Sequence, residues 1–328
     1  MKHWSSSMIP YAAGALLMSA CAPEARGPTP PRGASDLRTF EREHPHVQVI
    51  LPAGQTRPSA SALSTAATDN GIYYHGGLAI HAQNVAAIYW SYRPIYNGGP
   101  LPGTTGPGSA DGSLIGFFLS HLGGSSYYNI NTTYYDAART PILNSVTYTQ
   151  YWAATTNVPL PGIPVSDSQL QAEIVAGFTG GQLTYDPNTL YFVFSDALVN
   201  LGGSFGSVYC AYKGHFAWNG NDVKYAAMPH EIDYYPCIGS YTSPNNDPAA
   251  DAEVNDIAHE TEETQTDPDR TAWYDNAGNE NADKCWMNFG KMYTTANGAT
   301  ANVQIGGKDF LVQQNWVNAN GGGCVLSW

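Results

Sequence analysis

From residue 71 onward, apolar positions come in short blocks separated by glycine, asparagine and tyrosine. Val85-Ala86-Ala87-Ile88-Tyr89-Trp90 and Leu190-Tyr191-Phe192-Val193-Phe194 are continuous apolar blocks of strand length, so they read as strands buried on both faces. Residues 207–212 and 223–227 read as two further strands around Cys210. Elsewhere the apolar period is helical. Leu114, Phe117, Phe118 and Leu122 share a face that stops at Gly123-Gly124, while Ser166 and Gln169 make a capping box for a helix carrying Leu170, Ile174 and Phe178. A third helix, over 248–264, has Asp247 to cap it, Pro248 at its first position and Pro268 beyond its end. On it Val254, Ile257, Ala258 and Thr261 share one face, and Asp256, His259, Glu260 and Glu263 the opposite one. The apolar face is expected to pack on a sheet, leaving the other to line a cleft. No repeat of solenoid period interrupts this pattern. It predicts one α+β domain over 71–328, a mixed β-sheet with packed helices.

The first seventy residues differ in kind. Residues 1–20 carry Lys2 and His3 and then a short apolar run from Met8 to Met18, the layout of a secretory signal and too short to span a bilayer as a helix. Leu17-Met18-Ser19-Ala20-Cys21 resembles the lipobox of bacterial lipoproteins, which implies acylation of Cys21 and membrane attachment. Ala22, where an inner-membrane retention signal has aspartate, favours the outer membrane. The alternative is ordinary cleavage and secretion. Residues 21–70 are rich in Pro, Ala, Ser, Thr and Arg, with apolar residues almost confined to His46-Val47-Gln48-Val49-Ile50-Leu51, so a flexible tether is expected there.

Charge and cysteines narrow the function. A net charge of −13 from 14 basic and 27 acidic residues argues against nucleic acid as a partner, since phosphate binding needs a Lys/Arg surface. Twelve of the acids fall between Asp247 and Asp283, with Arg270 as the one Lys or Arg in that span, which points to a cation site or a solvated acidic face. Beyond Cys21 there are four cysteines, Cys210, Cys237, Cys285 and Cys324. They suit two disulfides in an oxidising compartment. Three pairings exist, and Cys210 with Cys237 and Cys285 with Cys324 are expected because each closes a moderate loop.

The residues with chemistry lie on the third helix, where His259-Glu260-Thr261-Glu262-Glu263 reads HExxE. In HExxH metallopeptidases two ligands four residues apart on a helix meet one zinc ion, and the glutamate after the first polarises the attacking water. Here Glu263 holds the second ligand position, acceptable to zinc at the same reach although it adds negative charge. Glu280 or Asp283 can supply a third ligand, in an order that resembles gluzincin peptidases and implies a site helix packed as in a zincin upper domain. The expected activity is a metallopeptidase-like hydrolase in which His259, Glu263 and Glu280 or Asp283 hold zinc and Glu260 activates water against a peptide or related carbonyl. Against it stands a non-catalytic envelope or wall protein whose acidic helix binds calcium or nothing and whose aromatic loops hold glycan. His75 and His215 read as turn or core histidines, and Ser195-Asp196 has no Gly-x-Ser-x-Gly elbow beside it. Tyr127-Tyr128 and Tyr134-Tyr135 offer faces for sugars but suit packing better.

Tyr74-His75-Gly76-Gly77, the strand block ending in Tyr89-Trp90, Phe118-Leu119-Ser120-His121-Leu122-Gly123-Gly124-Ser125 and Tyr128-Asn129-Ile130-Asn131 resemble the first half of the phosphate-induced protein 1 family, the EXORDIUM-like proteins of plants. Val208-Tyr209-Cys210-Ala211-Tyr212, Ile257-Ala258-His259-Glu260-Thr261-Glu262-Glu263, Asp267-Pro268 with Ala272-Trp273-Tyr274, and Glu280-Asn281-Ala282-Asp283-Lys284-Cys285 resemble its second half in the same order. Plant members carry Ala-His-Glu-Leu-Ala-Glu and Glu-Ile-Gly-Asp runs. This chain matches them at His259, Glu260, Glu263, Glu280 and Asp283 and departs at Thr261, Glu262, Asn281 and Ala282. The resemblance implies a cell-wall association and one shared site, and specifies no reaction.

Overall fold

The computed structural model describes residues 34–55, 71–197, 199–202, 205–231, 236–238 and 243–328; the signal sequence and Cys21 lie outside them. In chain order the elements are α1 (Ala34–Glu43), β1 (Val47–Val49), β2 (Tyr73–Tyr74), β3 (Gln83–Trp90), β4 (Thr105–Pro107), α2 (Leu114–Leu122), β5 (Val146–Trp152), α3 (Asp167–Thr179), β6 (Thr189–Ser195), β7 (Tyr212–Trp218), β8 (Asn221–Met228), α4 (Pro248–Thr266) and β9 (Trp273–Tyr274). Three hairpins follow: β10 (Tyr293–Thr294) with β11 (Thr300–Ala301), β12 (Val303–Ile305) with β13 (Lys308–Phe310), and β14 (Asn315–Val317) with β15 (Gly323–Val325).

Seven strands form one mixed sheet in the order β1-β7-β8-β6-β3-β5-β4, and the fold is α+β as the apolar pattern predicts. Its centre is parallel, β5 to β3 to β6 to β8, and its edges are antiparallel. Strand β6 is buried at every position and β3 at all but one, as continuous apolar runs require when helices cover both sheet faces. Neighbouring residues of β7 show the two faces directly, because strand side chains alternate. The Tyr212 hydroxyl donates to Asp167 of α3, and the Lys213 ammonium reaches the other way to the Asp267 carbonyl at the end of α4. Local signals hold the helices in place. Ser113 caps α2 through the Gly116 amide, the Ser166–Gln169 capping box opens α3, and α2 ends at Gly123, where a Cβ would sit 2.4 Å from the Val146 amide nitrogen.

Three expectations are corrected. The tether over 21–70 does not hold for 34–55: β1 pairs with β7, and Leu37, Phe40, Val47, Val49 and Ile50 enter the core. The apolar block around Val47 completes an otherwise open sheet edge, so burial offsets the entropy that a tether would keep. The expected strand over 207–212 starts only at Tyr212; before it, Cys210 and Ala211 pair irregularly with Ile50 through single backbone hydrogen bonds. Finally, α4 has no solvated face. Ala250 and every residue from Ala252 to Thr266 are buried, because the chain after α4 folds back over the side that the sheet leaves open. Gln313 is part of that cover, its amide donating to Asn255 Oδ1 and its side chain to the Ala282 carbonyl. The cysteines pair as expected, Cys210 with Cys237 and Cys285 with Cys324, which fits an oxidising compartment outside the cytoplasm. No helix among the described residues is long and apolar enough to cross a membrane.

Candidate metal centre

Helix α4 runs two residues past the expected end, and its (i, i+4) spacing sets His259 and Glu263 side by side. His259 Nε2 lies 2.9 Å from Glu263 Oε1 and 3.6 Å from Asp283 Oδ1. Asp283 arrives from the short helical turn Asp283–Cys285, which the Cys285–Cys324 disulfide ties to the final hairpin. One nitrogen and two carboxylate oxygens thus lie within 4.8 Å of one another. Such separations suit ligands held about 2.0–2.2 Å from a common ion. His259 Nε2 is turned to Glu263 Oε1, while Nδ1 faces Gln313 Oε1 at 3.3 Å. A ring with one nitrogen toward the carboxylates and the other held by a second group is how a metal-binding histidine is set.

The two candidates for the third ligand have separate places. Asp283 joins His259 and Glu263, its backbone amide donating to Glu263 Oε1 at 3.0 Å and its Oδ2 accepting from Gln48 at 2.7 Å. Glu280 instead takes Lys213, whose Nζ lies 2.8 and 2.7 Å from its two oxygens and 3.8 Å from Glu263 Oε2. Lys213 therefore separates Glu280 from the ligand set while keeping it next to Glu263. Glu260, the candidate base, is fully buried and neither oxygen has a hydrogen-bond partner.

Electrostatics follow from this packing. Burial pulls the His259 imidazole down, but Glu263, Asp283 and Glu260 outweigh it and hold the ring up at about 10. Burial pushes Glu263 up, but His259 and Lys213 outweigh it and take the carboxyl to about 2. Without an ion the two form an imidazolium–carboxylate pair; an ion would take the place of the imidazolium proton. Burial holds Glu260 and Glu280 well above the usual carboxylate range. The donor set of one imidazole and two carboxylates fits zinc, with Glu263 Oε1 turned to His259 and Oε2 to the Lys213 ammonium.

Access is narrow. Glu263 and Glu260 are fully buried, His259 is 1% exposed, and the Asp283 side chain is 9% exposed. A cavity of about 240 Å³ lined by Asp267, Arg270, Tyr274, Gly278 and Glu280 adjoins the Lys213 side of the cluster. Arg270 is held over this region by the Val47 carbonyl of β1 at 2.8 Å.

Sequence reasoning missed Gln48 and Lys213. Neither stands in a motif, and each acquires its role only once β1 and β7 pair. The remaining candidates lie elsewhere. His75 stacks on Tyr274 with ring centroids 3.7 Å apart, and His215 pairs with Asp222 at 3.0 Å. His215, Asp222 and Asp269 also lie within 4.8 Å of one another, but the Lys224 ammonium already sits 2.7 Å from Asp222 and 3.5 Å from Asp269. Tyr127, Tyr128 and Tyr134 are buried with their hydroxyls on Gln313, Gln83 and Trp316, so they pack the core and offer no face to a sugar. No family model, curated protein or solved structure matches this chain.

Proposed function

We propose that this is an exported metal-dependent hydrolase of the cell envelope, held to a membrane through a lipid on Cys21. The observation that carries the reading is the convergence of His259, Glu263 and Asp283 beside a buried Glu260 with no other partner. These three residues would hold zinc, with Glu280 as a neighbour and not a ligand. A zinc ion so held supplies a Lewis acid for a carbonyl and lowers the pKa of a water. Glu260 would accept that water's proton, a role that matches a carboxylate engaged with nothing else. Lys213 would keep Glu263 ionised and aligned, and the cavity at Glu280 and Arg270 is the approach for a peptide or related substrate. The likeness of these residues to EXORDIUM-like proteins fits an envelope location.

Glu260→Gln is the decisive variant. Zinc measured by elemental mass spectrometry should remain at about one ion per chain while hydrolysis of a peptide library falls by at least about 10²-fold. Unchanged turnover in Glu260→Gln would remove the mechanism. In His259→Ala/Glu263→Ala the metal itself should be lost.

Burial favours a second reading. Structural zinc sites are closed whereas catalytic ones keep a position open, and exposures at or below 1% for His259, Glu260 and Glu263 suit a closed site in a non-catalytic wall protein that binds glycan. Retention of wild-type protein on a wall-glycan column, unchanged by Glu260→Gln and with no hydrolysis, would favour it.

A further inference from the structure

The turn that ends α4 builds the cavity of about 240 Å³ beside the Lys213 side of the cluster. The Asp267 amide donates to the Glu263 carbonyl at 2.7 Å, and the Arg270 amide lies 3.5 Å from the Asp267 carbonyl, so Asp267 and Arg270 open and close one tight turn. Tyr274 of β9, Gly278 and Glu280 complete the lining. The charges around it divide into two pairs. Glu280 and Lys213 satisfy each other, with Nζ 2.8 and 2.7 Å from the two carboxylate oxygens. Asp267 and Arg270 do not. Asp267 is fully buried; its Oδ1 accepts from the Thr271 and Ala272 amides at 2.6 and 2.7 Å, and its Oδ2 has no hydrogen-bond partner. Arg270 donates through Nη1 to the Val47 carbonyl at 2.8 Å and the Pro45 carbonyl at 3.4 Å, and among the described residues no carboxylate forms a salt bridge with its guanidinium. An anion and a cation thus line one cavity without meeting, and Arg270 holds its place at a left-handed φ of 57°, which is costly for a residue that carries a side chain.

Buried polar atoms are nearly always partnered, and a carboxylate oxygen left without a donor calls for one. A ligand ammonium supplies it. A guanidinium engaged through one nitrogen retains N–H groups in the fork geometry that binds a carboxylate. With Glu280 neutralised by Lys213, the groups left to a ligand carry one negative and one positive charge, so the complementary ligand is a zwitterion. Size narrows it further. A cavity of about 240 Å³ lies below the about 300–1,000 Å³ of pockets for drug-sized ligands, and it holds one residue, not an extended peptide. The Tyr274 ring, stacked on His75 with centroids 3.7 Å apart, is a fixed wall for a side chain. We propose that this cavity binds a free α-amino acid, its ammonium on Asp267 Oδ2 and its carboxylate on Arg270. The site occupies the approach assigned above to the substrate, and it rests on that reading only in naming the bound amino acid as what terminal hydrolysis releases; the binding itself needs neither zinc nor turnover.

The test screens the mature protein by thermal shift against the common L-amino acids, then titrates the tightest binder by calorimetry beside its amide and its N-acetyl derivative. Wild type should bind the amino acid with a Kd of about 1 mM or tighter, and each derivative, lacking the charged carboxylate or the ammonium, at least about 10-fold more weakly. Asp267→Asn keeps an oxygen for the Thr271 and Ala272 amides and puts a donor in place of Oδ2, so it should fold and lose at least about 10-fold in affinity. Arg270→Asn, a residue that accepts a left-handed φ, should lose as much. If the missing bond to β1 unfolds that variant, Asp267→Asn and the amide carry the test. Wild type stripped with chelator should bind the amino acid as the untreated protein does, which separates this proposal from the hydrolase reading. No binding by wild type, equal binding of either derivative, undiminished binding in either folded variant, or binding lost on chelation would each overturn it.

Discussion

Asp283 faces two ways, Oδ1 toward His259 and Oδ2 toward Gln48, whose side chain is almost wholly buried. Gln48, together with the Glu280 amide that donates to the same oxygen at 3.2 Å, fixes the carboxylate rotamer that would meet an ion. Gln48→Ala leaves Oδ2 without that donor, which should cost about 1–3 kcal/mol of stability and weaken zinc binding about 10–100-fold, measured by chemical denaturation and by competition with a chelating dye. A further residue-level consequence concerns pH in the metal-free protein. The His259 imidazole, raised to about 10, contributes stability that is complete below its ordinary value of 6.5 and lost as pH rises through about 10. Glu263, lowered to about 2, contributes stability present above 4.5 and lost as pH falls through about 2. Glu231, Glu253, Glu260, Glu262 and Glu280, all raised by burial, favour the folded state only while protonated, so their effect also fades as pH rises. The chelated protein should therefore melt highest in mildly acidic solution and lose stability steadily toward pH 9. A melting temperature that rises from pH 5 to pH 8 in chelator would contradict this balance of charges.

At the scale of elements, α4 was legible in extent but not in environment. Asp247, Pro248 and Pro268 bracket it in the sequence, and HExxE marks the two groups that come together. Periodicity, however, cannot report a cover made by residues 281–316, fifteen or more positions beyond the helix end, and an acidic face covered from outside has the same pattern as one in water. Strands β3 and β6 were readable because burial on both faces leaves an unbroken apolar run. Strand β1 was not, because three residues in a Pro-rich setting carry too little signal, and β7 was foreseen only at its first residue, Tyr212, because its Lys213-Gly214-His215 stretch lacks the alternation of a strand with one solvated face. The paired cysteines supply an element-level test. The Cys285–Cys324 link closes a loop of 39 residues and carries Asp283 two positions before its first sulfur. Replacing both with serine should remove about 3–4 kcal/mol and weaken metal binding, whereas breaking Cys210–Cys237 should affect stability without touching Asp283 directly.

At the scale of the whole molecule, the fold places helices on both faces of a mixed sheet and reserves one side of α4 for acids that no water reaches. That arrangement would be costly if all were charged at once, and ions or protons must share the burden. The ordered body also starts far earlier than the composition of the N-terminal region implies, since α1 and β1 belong to the core. With a lipid on Cys21 as proposed, only about a dozen residues would separate the acyl chains from Ala34, a leash of at most about 45 Å against about 170 Å for a tether running to residue 70. Any substrate or ligand would then have to be found within a thin shell next to the bilayer, with the sheet edge at β1 on the membrane-proximal end of the chain.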